Sequence, residues 1–327
     1  MIKSLNALRA IAAVVIMLYH MWSGTLATEA CMAMIMMMAL SGMVNAMHQP
    51  PRQGYWRWVA LRLRHILPLH WLTLAAIVAG GAGVGWPLLL NALLLHAWVP
   101  SLGVCYGYNT MSWFLSALVP CYLLLPWLWR ALRRVPLWAQ LAGLAVALVA
   151  EGAWLLTLHP GEFATWAAYV APPVQLVNFA AGVVACNVWR ALPPVRVSAL
   201  TASAIEVAVV AVLAAIAWIT HTGPLPARLG APYCLWGLLA AIVALAALSR
   251  SGGVVTRVLS CRPMQWLGGI SFEMFMLHGM VCAVVLAAVP SLASLPWGLQ
   301  AAVCLPVVAA VSWAANRILN SLIYRKK

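Results

Sequence analysis

Hydrophobic residues in this chain gather into long, nearly unbroken runs, and the polar positions are confined to short stretches between them. A run of about 17–25 apolar residues crosses a bilayer core as one helix, because a helix satisfies its own backbone groups in hydrocarbon. Such runs lie near 5–27, 30–47, 66–86, 113–129, 138–157, 166–189, 198–219, 232–249, 267–289 and 298–319. The pattern predicts an all-α fold, a polytopic membrane helix bundle of about ten transmembrane helices forming one domain over 1–327 with no soluble domain. A further apolar run at 87–99 is too short to span and is expected to be re-entrant or interfacial. No fixed-period repeat, low-complexity tract or inverted pair of broken helices interrupts the series.

Composition agrees with the pattern. The residues are 65% hydrophobic and 7% charged, and the mean hydropathy of +0.96 excludes a water-soluble globular class. There are five glutamates and no aspartate, so 19 Lys and Arg leave a net charge of +14. Topology accounts for that charge, and no nucleic-acid partner is expected. With the N-terminus and Lys3 in the cytoplasm, ten spans place on that side Arg52, Arg57, Arg62 and Arg64, then Arg130, Arg133 and Arg134, then Arg190 and Arg196. Arg250, Arg257 and Arg262 follow, and Arg317, Arg325, Lys326 and Lys327 put the C-terminus inside as well. Arg228 alone falls in an outer loop. Counting 87–99 as a span would invert every later loop. The eight cysteines show no CxxC spacing and read as packing residues, with neither a disulfide framework nor a metal site expected.

Against this background the ionisable residues inside apolar runs stand out, since each costs about 2.5–3.5 kcal/mol on insertion scales and normally faces a bundle interior or a wet cavity. Arg9 and His20 share the first run, eleven residues apart, which puts them within roughly 20° of one helix face and about 16 Å apart along it. Snorkelling of Arg9 to lipid phosphates and a helix-packing hydrogen bond for His20 remain open at this point. The 48–65 segment mixes Arg with Trp at a predicted membrane edge, where Arg57 and the tryptophans suit anchoring to membrane lipids. Arg62, Arg64 and His65 lead into the third run and can hold phosphates by charge-assisted hydrogen bonds. Glu151 and Glu206 are expected to partner a buried Arg or another polar group. Glu273 and His278, five apart, do not share a face. Ser41, Gly42 and Ser271 are small enough to mark close helix packing. The outer loop at 101–110 contributes Tyr106 and Tyr108 ahead of Trp113, as a membrane belt or a stacking surface for a sugar.

Four stretches in order resemble the acyltransferase-3 family of integral membrane acyltransferases. The first is Arg9 through Tyr19-His20, similar to that family's Arg, ten residues, His motif. The second is Leu40-Ser41-Gly42 followed by the basic entry to the third span, Arg62-Leu63-Arg64-His65-Ile66-Leu67-Pro68 with His70-Trp71. The third is Trp113-Phe114-Leu115-Ser116 with Tyr122 and Pro126, and the fourth is Ile270-Ser271-Phe272 with Leu277-His278. The chain departs from the family pattern in several places. Ala117, Leu118, Val119 and Pro120 follow Ser116 where many relatives carry Glu, residues 34–38 lack an acid before Ser41, and His65 and His70 stand where Arg and Tyr are usual.

The resemblance implies a bacterial cytoplasmic (inner) membrane O-acyltransferase, most often an O-acetyltransferase. It would move an acyl group from cytoplasmic acyl-CoA, such as acetyl-CoA, to a hydroxyl of a glycan, a lipid-linked sugar or a small metabolite. Acyl-CoA is then a co-substrate, and no bound cofactor is expected. His20 suits a general base, or alternatively an acyl relay. Arg9 suits a donor phosphate or, as a catalytic group, the developing oxyanion, its place nearer the cytoplasm favouring the phosphate, with Arg62, Arg64 and His65 along the donor's path, while Ser41, Trp113, Ser116, Tyr122 and His278 are candidates for lining the cavity. Two other classes compete: a proton-coupled transporter of an anionic substrate using Arg9 and His20, and an inactive membrane scaffold.

Overall fold

The computed structural model describes residues 2–21, 26–48, 54–222 and 230–322. The expectations for Arg52, Arg228, Arg325, Lys326 and Lys327, and for residues 22–25 at the end of the first predicted span, lie outside them. The described residues form long helices at each of the ten apolar runs. They are α1 (Lys3–Met21), α2 (Ala27–Met47), α3 (Tyr55–Ala79), α4 (Ser112–Arg134), α5 (Leu137–Thr157), α6 (Pro172–Ala191), α7 (Ala199–Thr222), α8 (Gly230–Ala247), α9 (Ser271–Ala288) and α10 (Trp297–Leu322). No strand occurs among the described residues, and eight helices are long and apolar enough to cross a membrane. α3 and α8 fall outside those eight: α3 carries Arg57, Arg62, Arg64 and His65, and the described apolar part of α8 is the shorter Cys234–Arg250. This is a multi-pass membrane helix bundle.

α2 is the axis of the bundle. In its apolar window 83% of residues are buried, against 11% in α7, so α2 is enclosed by protein while α7 turns its sides to lipid. α1, α6 and α8 surround α2; α4 packs on α6, α9 on α1 and α10, and α7 on α8. The closest approach is between α2 and α6. A Cβ on Gly42 would lie 2.0 Å from the Phe179 carbonyl oxygen, and one on Gly182 would lie 1.9 Å from that of Ala39. Only glycine lets the two backbones meet there.

Three boundaries differ from the sequence expectation for identifiable reasons. α3 begins at Tyr55 and ends at Ala79 where 66–86 was predicted, so the basic segment is itself helical. Gly54 precedes it, and Gly80 with Gly81 at φ 102° stops it. The predicted span at 166–189 opens with a short helix Glu162–Thr165 and a π-helical turn Trp166–Val170, and Pro172 then starts α6. The span predicted at 267–289 is divided at Ile270 into a short helix Arg262–Gly269 and α9. The 87–99 run folds as a short helix Trp86–Ala92 and a turn of 3-10 helix His96–Trp98, too short to span.

Candidate active site

The C-terminal end of α1 forms one wall of a cavity of about 770 Å³. Tyr19 and His20 come from α1, Cys31 and Met34 from α2, Tyr106 from the loop before α4, Trp113 from α4, Tyr169 from the π-helical turn, and Thr220 and Cys234 from α7 and α8. Among the described residues no carboxylate lines it. The wall is mostly apolar and aromatic, with a few polar groups directed inward, the usual composition of a small-molecule site. The Trp113 and Tyr169 rings pack 4.9 Å apart between centroids. Burial, with Cys105 and Tyr19 beside it, raises the Tyr106 hydroxyl above its ordinary pKa, so this group offers a proton to a hydrogen bond.

His20 is accessible from this cavity and also meets a second imidazole, which is not among the cavity-lining residues. Its ring centroid lies 5.4 Å from that of His278 on α9. The His278 Nδ1 lies 2.9 Å from the Phe275 carbonyl oxygen and 3.2 Å from that of Met274. Carbonyls only accept, so Nδ1 carries the proton, and the lone pair of the neutral ring is on Nε2. That Nε2 is buried and has no hydrogen-bond partner among the described residues. A buried acceptor without a donor, beside a cavity-lining imidazole, is the partner that would fix the orientation of a base.

Arg9 occupies a separate place, three helical turns from His20. Arg9 and Arg62 both act electrostatically on the buried Tyr122 hydroxyl, which faces the Asn45 side chain. Asn45 donates from Nδ2 to the Ser41 carbonyl at 2.7 Å. Arg62 also lies over the Trp58 ring at 5.5 Å. Arg64 and His65 are exposed on α3. The structure therefore groups the sequence candidates into a histidine site, with His20, Trp113 and His278, and a cationic site, with Arg9, Arg62 and Tyr122.

Two candidates are engaged elsewhere. Ser41 donates back to the Met37 carbonyl at 2.8 Å within α2. Ser116 donates to the Leu94 carbonyl at 2.7 Å and accepts from the Ala97 N–H at 3.1 Å, which ties the 86–98 segment to α4. Of the membrane glutamates, Glu206 accepts from the backbone N–H groups of Val255 and Thr256 and from the Thr256 hydroxyl, and Glu273 accepts from Asn316. Glu151 Oε2 has no partner among the described residues.

Residues 2–317 match a family model described as an acyltransferase domain. The chain belongs to the acyltransferase-3 family. It is also similar to acyltransferase MdmB of Streptomyces mycarofaciens, 31% identical over 195 residues that make up 50% of this chain and 49% of that protein. The chain thus spans about half the length of this curated relative. No solved structure matches. Within this acyltransferase-3 chain the sequence reading missed Tyr169, because nothing local marks a π-helical turn. The only signal was Pro172-Pro173, which announces a helix start immediately after it.

Proposed function

We propose that this protein is an acyl-CoA-dependent O-acyltransferase in which His20 is the general base and the cavity beside it receives the acceptor hydroxyl. The observation that carries the reading is the placement of His20, exposed at a cavity of about 770 Å³ and 5.4 Å, ring centroid to ring centroid, from the buried His278, whose Nε2 has no partner among the described residues. In this reading His20 donates its own N–H to His278, which leaves the opposite ring nitrogen unprotonated and facing the acceptor. The hydroxyl proton passes to His20 as the oxygen attacks the thioester carbonyl. The C–S bond then breaks, and the departing CoA thiolate takes that proton back, so the products are ester and CoA thiol and His20 is regenerated.

The donor enters from the cationic site, where Arg9 and Arg62 are placed to hold phosphate through forked, charge-assisted hydrogen bonds. Arg64 and His65 extend this basic surface along α3. The rise of about 16 Å from Arg9 to His20 is then the distance over which the extended arm of the donor delivers its thioester. The aromatic wall of Tyr19, Tyr106, Trp113 and Tyr169 favours a small acceptor with sugar-ring or apolar faces over a purely ionic one.

CoA-thiol release from acetyl-CoA by detergent-purified protein, with fractionated envelope extract and hydroxylated small molecules as acceptors, tests this directly. Acceptor-dependent release by wild type that falls by about 10²–10⁴ in His20→Ala is the expected result. Equal release by the two proteins removes His20 from the chemistry. Arg9→Gln is expected to raise KM for acyl-CoA, and an unchanged KM removes it from the donor site.

A further inference from the structure

A second cavity, of about 510 Å³, lies at the end of the bundle that carries the α1 N-terminus. It shares no lining residue with the histidine cavity. Four cationic or ionisable groups from four separate segments line it: Lys3 from α1, His48 just beyond α2, Arg190 near the end of α6, and Arg250 from the turn after α8. Among the described residues no carboxylate lines it, and Trp189 adds an aromatic surface.

The positive-inside pattern requires basic residues near this membrane face. It does not require them to converge from four segments onto one concave wall without an acid. Like charges brought together repel, and the arrangement becomes favourable when an anion occupies the space between them. Arg190 is preset for such a ligand. A single terminal nitrogen donates to the carbonyls of Ala46 and Met47, at 2.9 and 3.1 Å, which holds the guanidinium in place and leaves the rest of its fork unused. His48 is held similarly, with Nδ1 2.8 Å from the Val44 carbonyl, so its Nε2 is the nitrogen left for a ligand.

We propose that this cavity is a binding site for a phosphate-bearing anion, taking either the 3′-phosphorylated adenosine end of an acyl-CoA, whose diphosphate remains with Arg9 and Arg62, or the headgroup of an acidic phospholipid. Both sources present the same chemistry to Lys3, Arg190 and Arg250, namely phosphate oxygens that accept several charge-assisted hydrogen bonds at once. The nucleotide source rests on the acyl-CoA reading above, and the lipid source does not.

Equilibrium binding of radiolabelled adenosine 3′,5′-bisphosphate to the full-length protein in uncharged detergent tests one source. Retention of phosphatidylglycerol from mixed phosphatidylglycerol–phosphatidylcholine vesicles after exchange into the same detergent, read by mass spectrometry, tests the other. Lys3→Gln/Arg250→Gln is the variant, because neither side chain holds another element together, and each single substitution is measured beside it in case the pair does not fold. Arg134→Gln, an exposed arginine at the end of α4 that lines neither cavity, is the comparison. The expected result is that at least one ligand binds wild type and is weakened about ten-fold or more in the variant, with a smaller change in Arg134→Gln. Absence of both ligands from wild type, or survival of binding within about two-fold in the variant, overturns the proposal. Since both readouts are binding, failure of acyl transfer would leave them interpretable, and loss of this site would not by itself contradict acyl transfer at His20.

Discussion

At the scale of single residues, the imidazole pair makes the sharpest claim. His278 sits behind His20 with its proton committed to two backbone carbonyls, so it can supply only a lone pair. His278→Ala removes that acceptor and lets the His20 ring rotate, and kcat is expected to fall by about 10–100-fold with KM for acyl-CoA unchanged. His278→Gln, whose amide oxygen can accept the same N–H, is expected to recover part of the loss. A merely structural role would instead lower the melting temperature of both variants alike and leave no kcat difference between them. The eleven-residue interval from Arg9 to His20 made their shared helix face legible in the sequence. The approach of His278 was not legible, because it depends on how α9 packs against α1, and Glu273 and His278 carried no spacing signal that linked them to His20.

Elements are held in register here by a few contacts that tolerate little change. Gly182→Ala puts a methyl group within 1.9 Å of the Ala39 carbonyl oxygen, which no rotamer relieves because the obstacle is backbone. The expected cost is about 1–3 kcal/mol or more, read as a lower melting temperature in detergent, with a similar loss for Gly42→Ala. Glu206 is fully buried on α7 and accepts three hydrogen bonds at the start of the short helix Val254–Leu259. Glu206→Ala strips those donors of their acceptor and is expected to cost about 1.5–3 kcal/mol, whereas Ser203→Ala, which removes a half-buried neutral hydroxyl that accepts from the Val254 N–H alone, costs less. Apolar runs located the long helices because hydrocarbon length is set by the bilayer. They misplaced the start of α3, since its arginines resemble a loop in a hydropathy reading although they are compatible with a helix that emerges from the membrane. Ser116 shows the same limit from the other direction. A serine in a motif looks available for substrate, and only the folded chain reveals both of its hydrogen bonds committed to residues 94 and 97.

For the whole molecule, the basic residues and the two cavities make orientation the decisive unknown, since it fixes which solution each cavity faces. The charge distribution predicts that the Arg250, Arg257 and Arg262 region is cytoplasmic, and this same region contains Cys261, the exposed cysteine among eight free thiols. Six of the others are buried, and Cys31 is half-buried at the histidine cavity, so a Cys31→Ala background reports on Cys261 alone. A membrane-impermeant maleimide added to intact spheroplasts is expected to leave that variant unlabelled, and to label it once the membrane is opened by freeze–thaw. Labelling before opening would place Lys3, Arg190 and Arg250 on the outer side, which would separate the basic cavity from any cytoplasmic nucleotide. It would also oblige the acyl donor to reach Arg9 from outside, and the proposed direction of transfer would then have to be reversed. Protection before opening leaves the cationic residues on the donor's side and His20 some three turns further along α1 toward the opposite face, an arrangement that lets one helix hold the donor at one end and meet the acceptor near the other.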